Sequence, residues 1–212
     1  MDLFSQQEGP IRSGFQKHIL AGGELWVMPN FLSAEKAAAY YRQIKETINW
    51  RQEKIKMYGK THPLPRLTAW HADAGCHYKY AGILCRPDPW TPALLEIKQQ
   101  IEQLLPRQKF NSVLLNLYRD GHDKMGWHAD DEKELGVNPT IASVSLGAIR
   151  RFDLKHRKNK ALKLQIALNP GSLLLMTGGL QHHWLHQVPA QKRVRAARIN
   201  LTYRKIIGGS QP

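Results

Sequence analysis

Residues 198–204 read Arg-Ile-Asn-Leu-Thr-Tyr-Arg, and this stretch decides the class of fold. Polar or cationic residues alternate with apolar or aromatic ones, which is the period of a β-strand with one apolar and one polar face. The polar face displays Arg198, Asn200, Thr202 and Arg204. A strand at an exposed sheet edge would show the same alternation as a strand whose polar face lines a binding site. The neighbouring sequence has to decide between these two interpretations.

Similar short β-prone runs fill the second half of the chain and are divided by Gly, Pro and Asn. They lie near residues 112–118, 140–146, 149–154, 162–168, 172–176, 182–187 and 196–204. Close spacing without intervening helices favours a sandwich or jelly roll over a fold in which strands and helices alternate.

The first half of the chain predicts two amphipathic helices. One begins after Ser33, a plausible N-cap, and the other begins at Thr91-Pro92. Apolar residues recur at helical spacing in both, namely Ala34, Ala37, Tyr41, Ile44 and Ile48 in the first and Leu94, Ile97, Ile101, Leu104 and Leu105 in the second. We predict that both helices cover one side of a sheet, which makes the fold class α+β.

The chain is expected to form one structural domain with three parts. Residues 1–24 form an N-terminal arm, residues 25–109 carry the helices and a recognition hairpin, and residues 110–212 form the β-rich core. With 212 residues and 42% hydrophobic content, the chain is long enough for a substantial core.

The charge balance predicts a polyanionic partner. Lys and Arg number 31 against 17 Asp and Glu, which leaves a formal net charge of +14. Such a surplus creates positive surface potential, and nucleic acid is the first partner to consider.

The cysteine count and the hydropathy pattern indicate the compartment. The two cysteines, Cys76 and Cys85, do not form the Cys-x-x-Cys pair typical of structural zinc, so a reducing compartment is expected. No run approaches the roughly 18 to 20 apolar residues that a membrane-spanning helix needs. We expect a soluble, monomeric cytoplasmic protein with no membrane partner, associated with the nucleoid in a bacterium or located in the nucleus in a eukaryote.

The triplet His128-Ala129-Asp130 is the first indication of chemistry. In an extended segment, side chains at i and i+2 point to the same face, so an imidazole and a carboxylate can converge on one ion. A late predicted strand carries His182, His183 and His186. His186 is the preferred third ligand because a strand end follows it, and His182 remains a competitor because it has the same strand parity.

Two histidines and one carboxylate on one face of an octahedral ion leave positions open for a co-substrate and dioxygen, as a non-haem ferrous oxygenase requires. Zinc is the alternative ion, but it would give no role to the arginines of residues 198–204. Guanidinium groups suit carboxylates because they bind them with two parallel hydrogen bonds. At about 3.3 Å per residue, Arg198 and Arg204 lie about 20 Å apart, so both reach one small dicarboxylate only if the strand twists or the side chains fold inward.

Several ordered motifs over roughly residues 55–206 resemble the AlkB family of Fe(II)/2-oxoglutarate-dependent nucleic-acid dioxygenases. The motifs are Asn116-Leu117-Tyr118-Arg119-Asp120-Gly121, Gly126-Trp127-His128-Ala129-Asp130-Asp131-Glu132, Ala142-Ser143-Val144-Ser145-Leu146-Gly147, Pro170-Gly171-Ser172-Leu173-Leu174, His183-Trp184-Leu185-His186 and the strand of residues 198–204.

This resemblance implies the fold and the site. The fold is a double-stranded β-helix, a jelly roll with helices packed on one sheet, and His186 is the third ligand of Fe(II). The residues implied at 2-oxoglutarate are Asn116, Tyr118, Arg198, Asn200, Thr202 and Arg204. Arg198 is expected to pair with the distal carboxylate, and Arg204 is expected near the metal.

The resemblance also implies the reaction. Fe(II), 2-oxoglutarate and dioxygen hydroxylate an N-methyl group of a base, and the product releases formaldehyde while the co-substrate becomes succinate. We expect repair of 1-methyladenine and 3-methylcytosine in DNA. The alternatives are the same chemistry on RNA, tRNA or a protein side chain, or a basic nucleic-acid-binding module with a vestigial metal site. The intact set of ligands and arginines argues against the vestigial site.

The predicted substrate contacts form two groups. Met57 and Tyr58 occupy a hairpin at residues 55–60 that resembles the duplex-probing hairpin of eukaryotic AlkB homologues, in which an apolar wedge enters the base stack. Trp70 or His71, together with Trp127, is expected to stack on a flipped base.

Acidic and basic side chains complete the predicted contacts. Glu132 is expected on the metal face, where its carboxylate would favour a cationic methylated base, and Asp131 is expected to face away and to brace an arginine such as Arg204. The basic residues predicted to track phosphates are Arg150, Arg151, the run at residues 155–160, Lys192, Arg193 and Arg195.

Overall fold

The computed structural model describes residues 14–57, 59–76, 78–80, 83–85 and 87–207. Its first half contains β1 (Gln16–Leu20), β2 (Gly23–Met28), α1 (Ala34–Thr47), β3 (Lys54–Met57), β4 (Lys60–Pro63), β5 (Leu67–Ala72), β6 (Tyr78–Tyr80), β7 (Ile83–Cys85) and α2 (Pro92–Leu104). Its second half contains β8 (Ser112–Tyr118), β9 (Met125–His128), β10 (Ile141–Gly147), β11 (Arg150–His156), β12 (Lys163–Leu168), β13 (Leu173–Gly178), α3 (Leu180–His183), β14 (Trp184–Val188) and β15 (Arg198–Arg204).

Two antiparallel sheets form the body of the molecule. The larger has the order β1-β2-β13-β10-β15-β8-β5, and the smaller has the order β12-β11-β14-β9. From β8 to β15 the chain passes repeatedly from one sheet to the other, which is the winding of a jelly roll. The predicted jelly-roll core and the predicted hairpin, formed by β3 and β4, are confirmed.

The outer face of the larger sheet packs against the two long helices. Ile199, Leu201 and Tyr203 of β15 belong to the same buried cluster as the apolar stripes of α1 and α2. The Tyr203 hydroxyl donates a hydrogen bond to the Leu94 carbonyl oxygen of α2 at 2.9 Å. The prediction that both helices cover one side of a sheet is therefore confirmed.

A second cluster of apolar side chains lies between the two sheets. Its members come from alternate positions of the same strands and from the inner face of the smaller sheet, and they include Leu25, Val27, Phe152, Leu154, Leu174, Met176 and Trp184. Because side chains alternate along a strand, β2, β5, β8, β10 and β13 each contribute to both layers.

The starts of the two helices follow local chemistry. The Ser33 hydroxyl accepts a hydrogen bond from the Lys36 backbone amide at 3.3 Å, and Pro92 occupies the first turn of α2, where no amide donor is needed. The buried tyrosine of α1 is Tyr40, whereas the predicted Tyr41 is only partly buried, one position off the stripe.

The N-terminal segment contributes to the larger sheet. Strands β1 and β2 form a hairpin whose turn contains Gly22 at φ 83°, a backbone conformation that favours glycine. Within the predicted arm, residues Gln16–Leu20 thus form an edge strand. Among the residues that the structure describes, no helix is long and apolar enough to cross a membrane.

Candidate active site

Three predicted ligands meet between the sheets. His128 ends β9, Asp130 follows two residues later, and His186 lies in the middle of β14 directly opposite His128. The candidate ligand atoms of all three residues lie within 4.8 Å of one another. Asp130 and His186 are buried, and His128 is partly exposed. Such a cluster matches the first coordination shell of a single metal ion.

The other two histidines of the late cluster are not on a strand. His182 and His183 lie in α3, and both are exposed. The parity argument that kept His182 as a competitor was therefore wrong, because strand alternation does not extend through a helical turn.

Both imidazoles are held in the neutral form that binds a metal. The Nδ1–H of His128 donates to the Gly126 carbonyl oxygen at 2.8 Å, so its Nε2 is the atom presented to an ion. Burial lowers the pKa of His128, and burial together with the neighbouring His128 lowers the pKa of His186 to about 3. An ion can therefore bind without first displacing a proton at neutral pH.

Asp130 is held as a carboxylate despite its burial. Burial by itself would raise its pKa, but Arg204 and the two histidines outweigh this effect, and the net pKa lies below its ordinary value. The Arg204 Nη2 donates to Oδ1 of Asp130 at 2.6 Å. Arg204 therefore lies at the metal end of the site, where the sequence placed it.

A buried glutamine that the sequence did not indicate holds the ligand loop. The Gln181 side-chain oxygen accepts a hydrogen bond from the Asp130 backbone amide at 3.0 Å, and its amide nitrogen lies 3.5 Å from the Met176 sulfur. Gln181 lies 51 residues from Asp130 in sequence, so no local pattern could have connected the two.

Asp131 braces an arginine as predicted, but that arginine is Arg157 and not Arg204. Its carboxylate accepts a hydrogen bond from Arg157 at 2.6 Å, and Arg204 is engaged by Asp130 instead. Arg157 also donates to the Gln181 carbonyl oxygen at 3.2 Å. Because Asp130 is buried beside Arg204 and Asp131 is exposed, the two adjacent carboxylates pair with different arginines.

The polar face of β15 continues the site away from the metal cluster. Arg198 is fully buried, and its Nη2 donates to the Ser145 hydroxyl and to the Asn200 side-chain oxygen, each at 2.8 Å. Within the described ranges, its Nε and Nη1 have no hydrogen-bond partner. Burial lowers the pKa of Arg198 to about 10, so the group remains cationic near pH 7. A buried cation with unused donors is suited to an anionic ligand.

The neighbouring strand β8 presents two further predicted residues at the same level. Asn116 pairs with Asn200 across the strands, and Tyr118 pairs with Arg198. Arg66, which the sequence did not indicate, is buried and donates from Nε to the Asn116 side-chain oxygen at 2.6 Å.

The metal cluster and the polar face share one cavity. Its lining residues come from both sheets and are Leu114, Asn116, Tyr118, Met125, His128, Asp130, Ser143, Phe152, Met176, His186, Val188, Asn200, Thr202 and Arg204.

The match to a known family decides the identity of this arrangement. Residues 24–204 match the family described as the 2OG-Fe(II) oxygenase superfamily. The chain belongs to this superfamily. The family uses Fe(II), 2-oxoglutarate and dioxygen, so the predicted cofactors are confirmed.

Curated relatives place this oxygenase with AlkB-type proteins. It is 34% identical over 209 residues to DNA oxidative demethylase ALKBH2 of Mus musculus, covering 94% of this chain and 87% of the mouse protein. It is 40% identical over 161 residues to the Homo sapiens protein of the same name, covering 73% and 61%. It is 37% identical over 187 residues to alpha-ketoglutarate-dependent dioxygenase alkB homolog 3 of Bos taurus, covering 84% and 64%. The resemblance to the AlkB family is confirmed.

Solved structures agree on the fold at much lower identity. The structure of OsALKBH1 has a TM-score of 0.57 at 16% identity and covers 90% of this chain and 100% of that chain. A prolyl-4-hydroxylase from Pseudomonas putida has a TM-score of 0.58 at 14% identity and covers 88% of this chain and 95% of that chain.

The residues present in this oxygenase fit the cofactors of its family. Two neutral imidazoles and a carboxylate form the donor set that ferrous oxygenases use. The buried Nε and Nη1 of Arg198, which lack partners among the residues described, are the donors that a carboxylate of 2-oxoglutarate requires.

The two predicted stacking residues of β5 lie on opposite faces of the strand. Trp70 is partly buried with the cluster between the sheets and pairs with Leu114, which lines the cavity. His71 lies on the other face, where its Nδ1–H donates to the Pro89 carbonyl oxygen at 2.6 Å. Strand alternation thus keeps His71 away from the cavity, contrary to the expected placement.

Three other residues differ from their predicted placement. Glu132 precedes the short 3₁₀ turn Lys133–Leu135 and does not line the cavity, because the chain leaves the strand after His128. Trp127 is 39% exposed, and the Lys155 ammonium lies 4.3 Å from its ring centroid, on the outer face of the smaller sheet. Arg150, expected on a phosphate track, is 1% exposed.

Of the two hairpin residues predicted to probe a duplex, Met57 lies among the described residues. Met57 ends β3, and its backbone pairs with Lys60 of β4. Tyr58 lies outside the described residues.

Proposed function

We propose that this oxygenase repairs N-alkylated bases in DNA, with 1-methyladenine and 3-methylcytosine as substrates. It would hydroxylate the N-methyl group and release formaldehyde and succinate. One observation carries the proposal: a complete His-Asp-His cluster shares a cavity with a cationic polar strand face, in a chain 34% identical to a DNA oxidative demethylase over 94% of its length.

The metal ligands in this proposal are His128, Asp130 and His186. When bound, Fe(II) supplies, with 2-oxoglutarate and dioxygen, the oxidising chemistry that a methyl C–H bond requires. Gly126 orients the His128 ring through the Nδ1–H bond, and Arg204 keeps Asp130 ionised, so the donor set is ready at neutral pH.

The co-substrate would lie along the facing strands β8 and β15. Arg198 binds the distal carboxylate through its unused donors, and Tyr118 lies beside it. Asn116, Asn200 and Thr202 supply polar contacts between Arg198 and the metal cluster. Asn200 is itself oriented by a hydrogen bond of 2.7 Å from its side-chain nitrogen to the Thr202 hydroxyl.

The nucleic acid would approach at the open side of His128. A base in a duplex has to be flipped out at a cost of a few kcal/mol, and methylation that disrupts pairing reduces this cost. Trp70 is the aromatic residue that we propose for stacking on the flipped base. The net charge of +14 favours binding of the phosphate backbone.

The test is release of formaldehyde from oligonucleotides that contain 3-methylcytosine, supplied with Fe(II) and 2-oxoglutarate. Single-stranded DNA, duplex DNA and RNA of one sequence are compared, with Asp130→Ala as the inactive control. We expect release from DNA. Release only from RNA would replace the proposal with the RNA alternative, and binding of all three without any release would support a nucleic-acid-binding module.

The hairpin gives a test of duplex action. We propose that Met57 and Tyr58 form the wedge that holds a flipped base out of the stack, so Tyr58→Ala should reduce turnover of duplex DNA more than turnover of single-stranded DNA. Equal losses on the two substrates would remove the wedge from the proposal.

A monomeric state and a cytoplasmic, nucleoid or nuclear location remain predictions.

A further inference from the structure

Arg150 is a buried cation whose hydrogen bonds all go to neutral oxygens. It is 1% exposed, and it donates to the backbone carbonyl oxygens of Asp120, Asp123 and Pro189 at 2.7 to 2.8 Å and to the Gln191 side-chain oxygen at 3.3 Å. Burial lowers its pKa below the ordinary value for arginine. Burying an arginine without a directly bound carboxylate is costly, which points to a role that needs the charge itself.

The position of Arg150 relative to the co-substrate residues suggests that role. Its guanidinium carbon lies 5.5 Å from the ring centroid of Tyr118, and the guanidinium carbon of Arg198 lies at the same distance from that ring. Two buried cations therefore share one aromatic neighbour. Like charges repel in a medium of low dielectric constant, and the Arg150 charge, after burial, contributes to the lowered pKa of Arg198.

Arg150 also joins the two loops at this end of the barrel. The acceptors at Asp120 and Asp123 follow β8, and those at Pro189 and Gln191 follow β14. The same loops are linked by the Gly121 amide, which donates to the Val194 carbonyl oxygen at 2.8 Å. Arg150 thus acts as a clamp that holds together the ends of the strands carrying Tyr118 and His186.

We propose that Arg150 is a positioning residue for the co-substrate. It holds Tyr118 in place and supplies a second fixed positive charge in addition to that of Arg198. The two charges together make the site select a dianionic 2-oxo acid. A dianion relieves the repulsion between the two arginines, whereas a monoanion without the distal carboxylate does so less well. The inference rests on binding of 2-oxoglutarate and is independent of the nucleic-acid substrate.

The experiment compares two 2-oxo acids that differ in the distal group. Titration calorimetry without oxygen, with Mn(II) in place of Fe(II), measures the Kd of 2-oxoglutarate and of 2-oxopentanoate, in which a methyl group replaces the distal carboxylate. We expect Arg150→Gln to weaken 2-oxoglutarate about tenfold more than it weakens 2-oxopentanoate. Arg150→Lys, which keeps the charge, should preserve the ratio of the two affinities within about threefold.

Arg151→Gln is the matched control, because it removes the same charge one residue away on a half-exposed side chain paired with Asp153. It should leave both affinities unchanged. Equal weakening of both acids in Arg150→Gln would reduce Arg150 to a structural clamp and overturn the selectivity. If Arg150→Gln does not fold, Arg150→Lys still tests the proposal. A change of more than about threefold in its ratio of the two affinities would overturn the role of the charge in selectivity. A failure to demethylate DNA would leave these binding ratios untouched.

Discussion

The two faces of the larger sheet carry out different tasks with alternate residues of the same strands. On the outer face, Leu201 and Tyr203 of β15 pack against the helices in an apolar layer. On the inner face, Arg204 lines the cavity beside Asp130, and Arg198 is buried beside Asn200, which lines the same cavity. Residues that stabilise the fold and residues that form the active site therefore occupy alternate positions along the same strands. A substitution on one face should have little effect on the property that the other face controls.

The sharpest test of the inner face is loss of a ligand. Asp130→Ala should abolish tight binding of Fe(II) and reduce turnover by at least about a thousandfold, because two imidazoles alone hold the ion poorly. Calorimetric titration with Mn(II) and formaldehyde release measure the two effects. The control is Glu134→Gln, which removes a nearby carboxylate in the short 3₁₀ turn. Turnover that survives in Asp130→Ala would show that the ligand set is wrong.

The outer face should respond in the opposite way. Leu201→Ala leaves a cavity in the layer under the helices, and we expect the free energy of unfolding to fall by about 2 to 5 kcal/mol. Urea denaturation measures the loss. The Kd of 2-oxoglutarate, measured in the folded variant at low temperature, should stay within about twofold of the wild-type value. A large change in that Kd would contradict the separation of the two faces.

Gln181 tests how far the inner face depends on residues that do not touch the ion. Gln181→Leu removes the acceptor of the Asp130 amide in a similar volume, so the affinity for Mn(II) should fall by about tenfold. Gln181→Glu keeps an acceptor and should retain more of the affinity. If both variants bind the ion as the wild type does, the loop holds its conformation without Gln181.

The smallest effect is expected at a carboxylate on the helix side. Glu102 of α2 accepts a hydrogen bond from the Phe110 amide at 2.9 Å and pairs with Lys98. Burial alone would raise its pKa, but these donors outweigh burial and lower the pKa below 4.5. Its stabilisation should therefore be complete above pH 4.5 and should be lost as the pH falls through the lowered pKa.

Glu102→Gln is expected to lower the free energy of unfolding by about 1 kcal/mol at pH 7. The difference from the wild type should shrink towards zero in strongly acidic buffer. Urea denaturation across this pH range measures both values. A difference that stays constant with pH would mean that the charge of Glu102 contributes nothing, and metal binding should be unchanged in every case.

The elements that could be predicted from sequence are those with a local period or a local cap. The alternation in residues 198–204 predicts β15, and Ser33 and Pro92 predict the helix starts because capping involves residues only a few positions apart. The prediction that His182 shares the strand face of His186 was wrong, because a single helical turn interrupts the strand pattern before His186.

The side chains that could not be predicted act across the fold. Gln181 supports Asp130, and Arg66 binds Asn116, over long separations in sequence. The sequence predicted that Arg150 contacts phosphates, because cationic residues at a protein surface are typical of such contacts. Only its packing against Tyr118 shows it to be a buried clamp.

By itself, the sequence determined the strand pattern, the helix starts and the chemical types of the metal ligands, since these depend on neighbours along the chain. Only the tertiary structure decided which charges pair and which are buried. Asp130 and Asp131 are adjacent and chemically identical, yet one faces Arg204 inside the barrel and the other faces Arg157 at its surface. The physical reason is that Coulomb interactions and desolvation depend on distance and burial in space, which one-dimensional order does not contain.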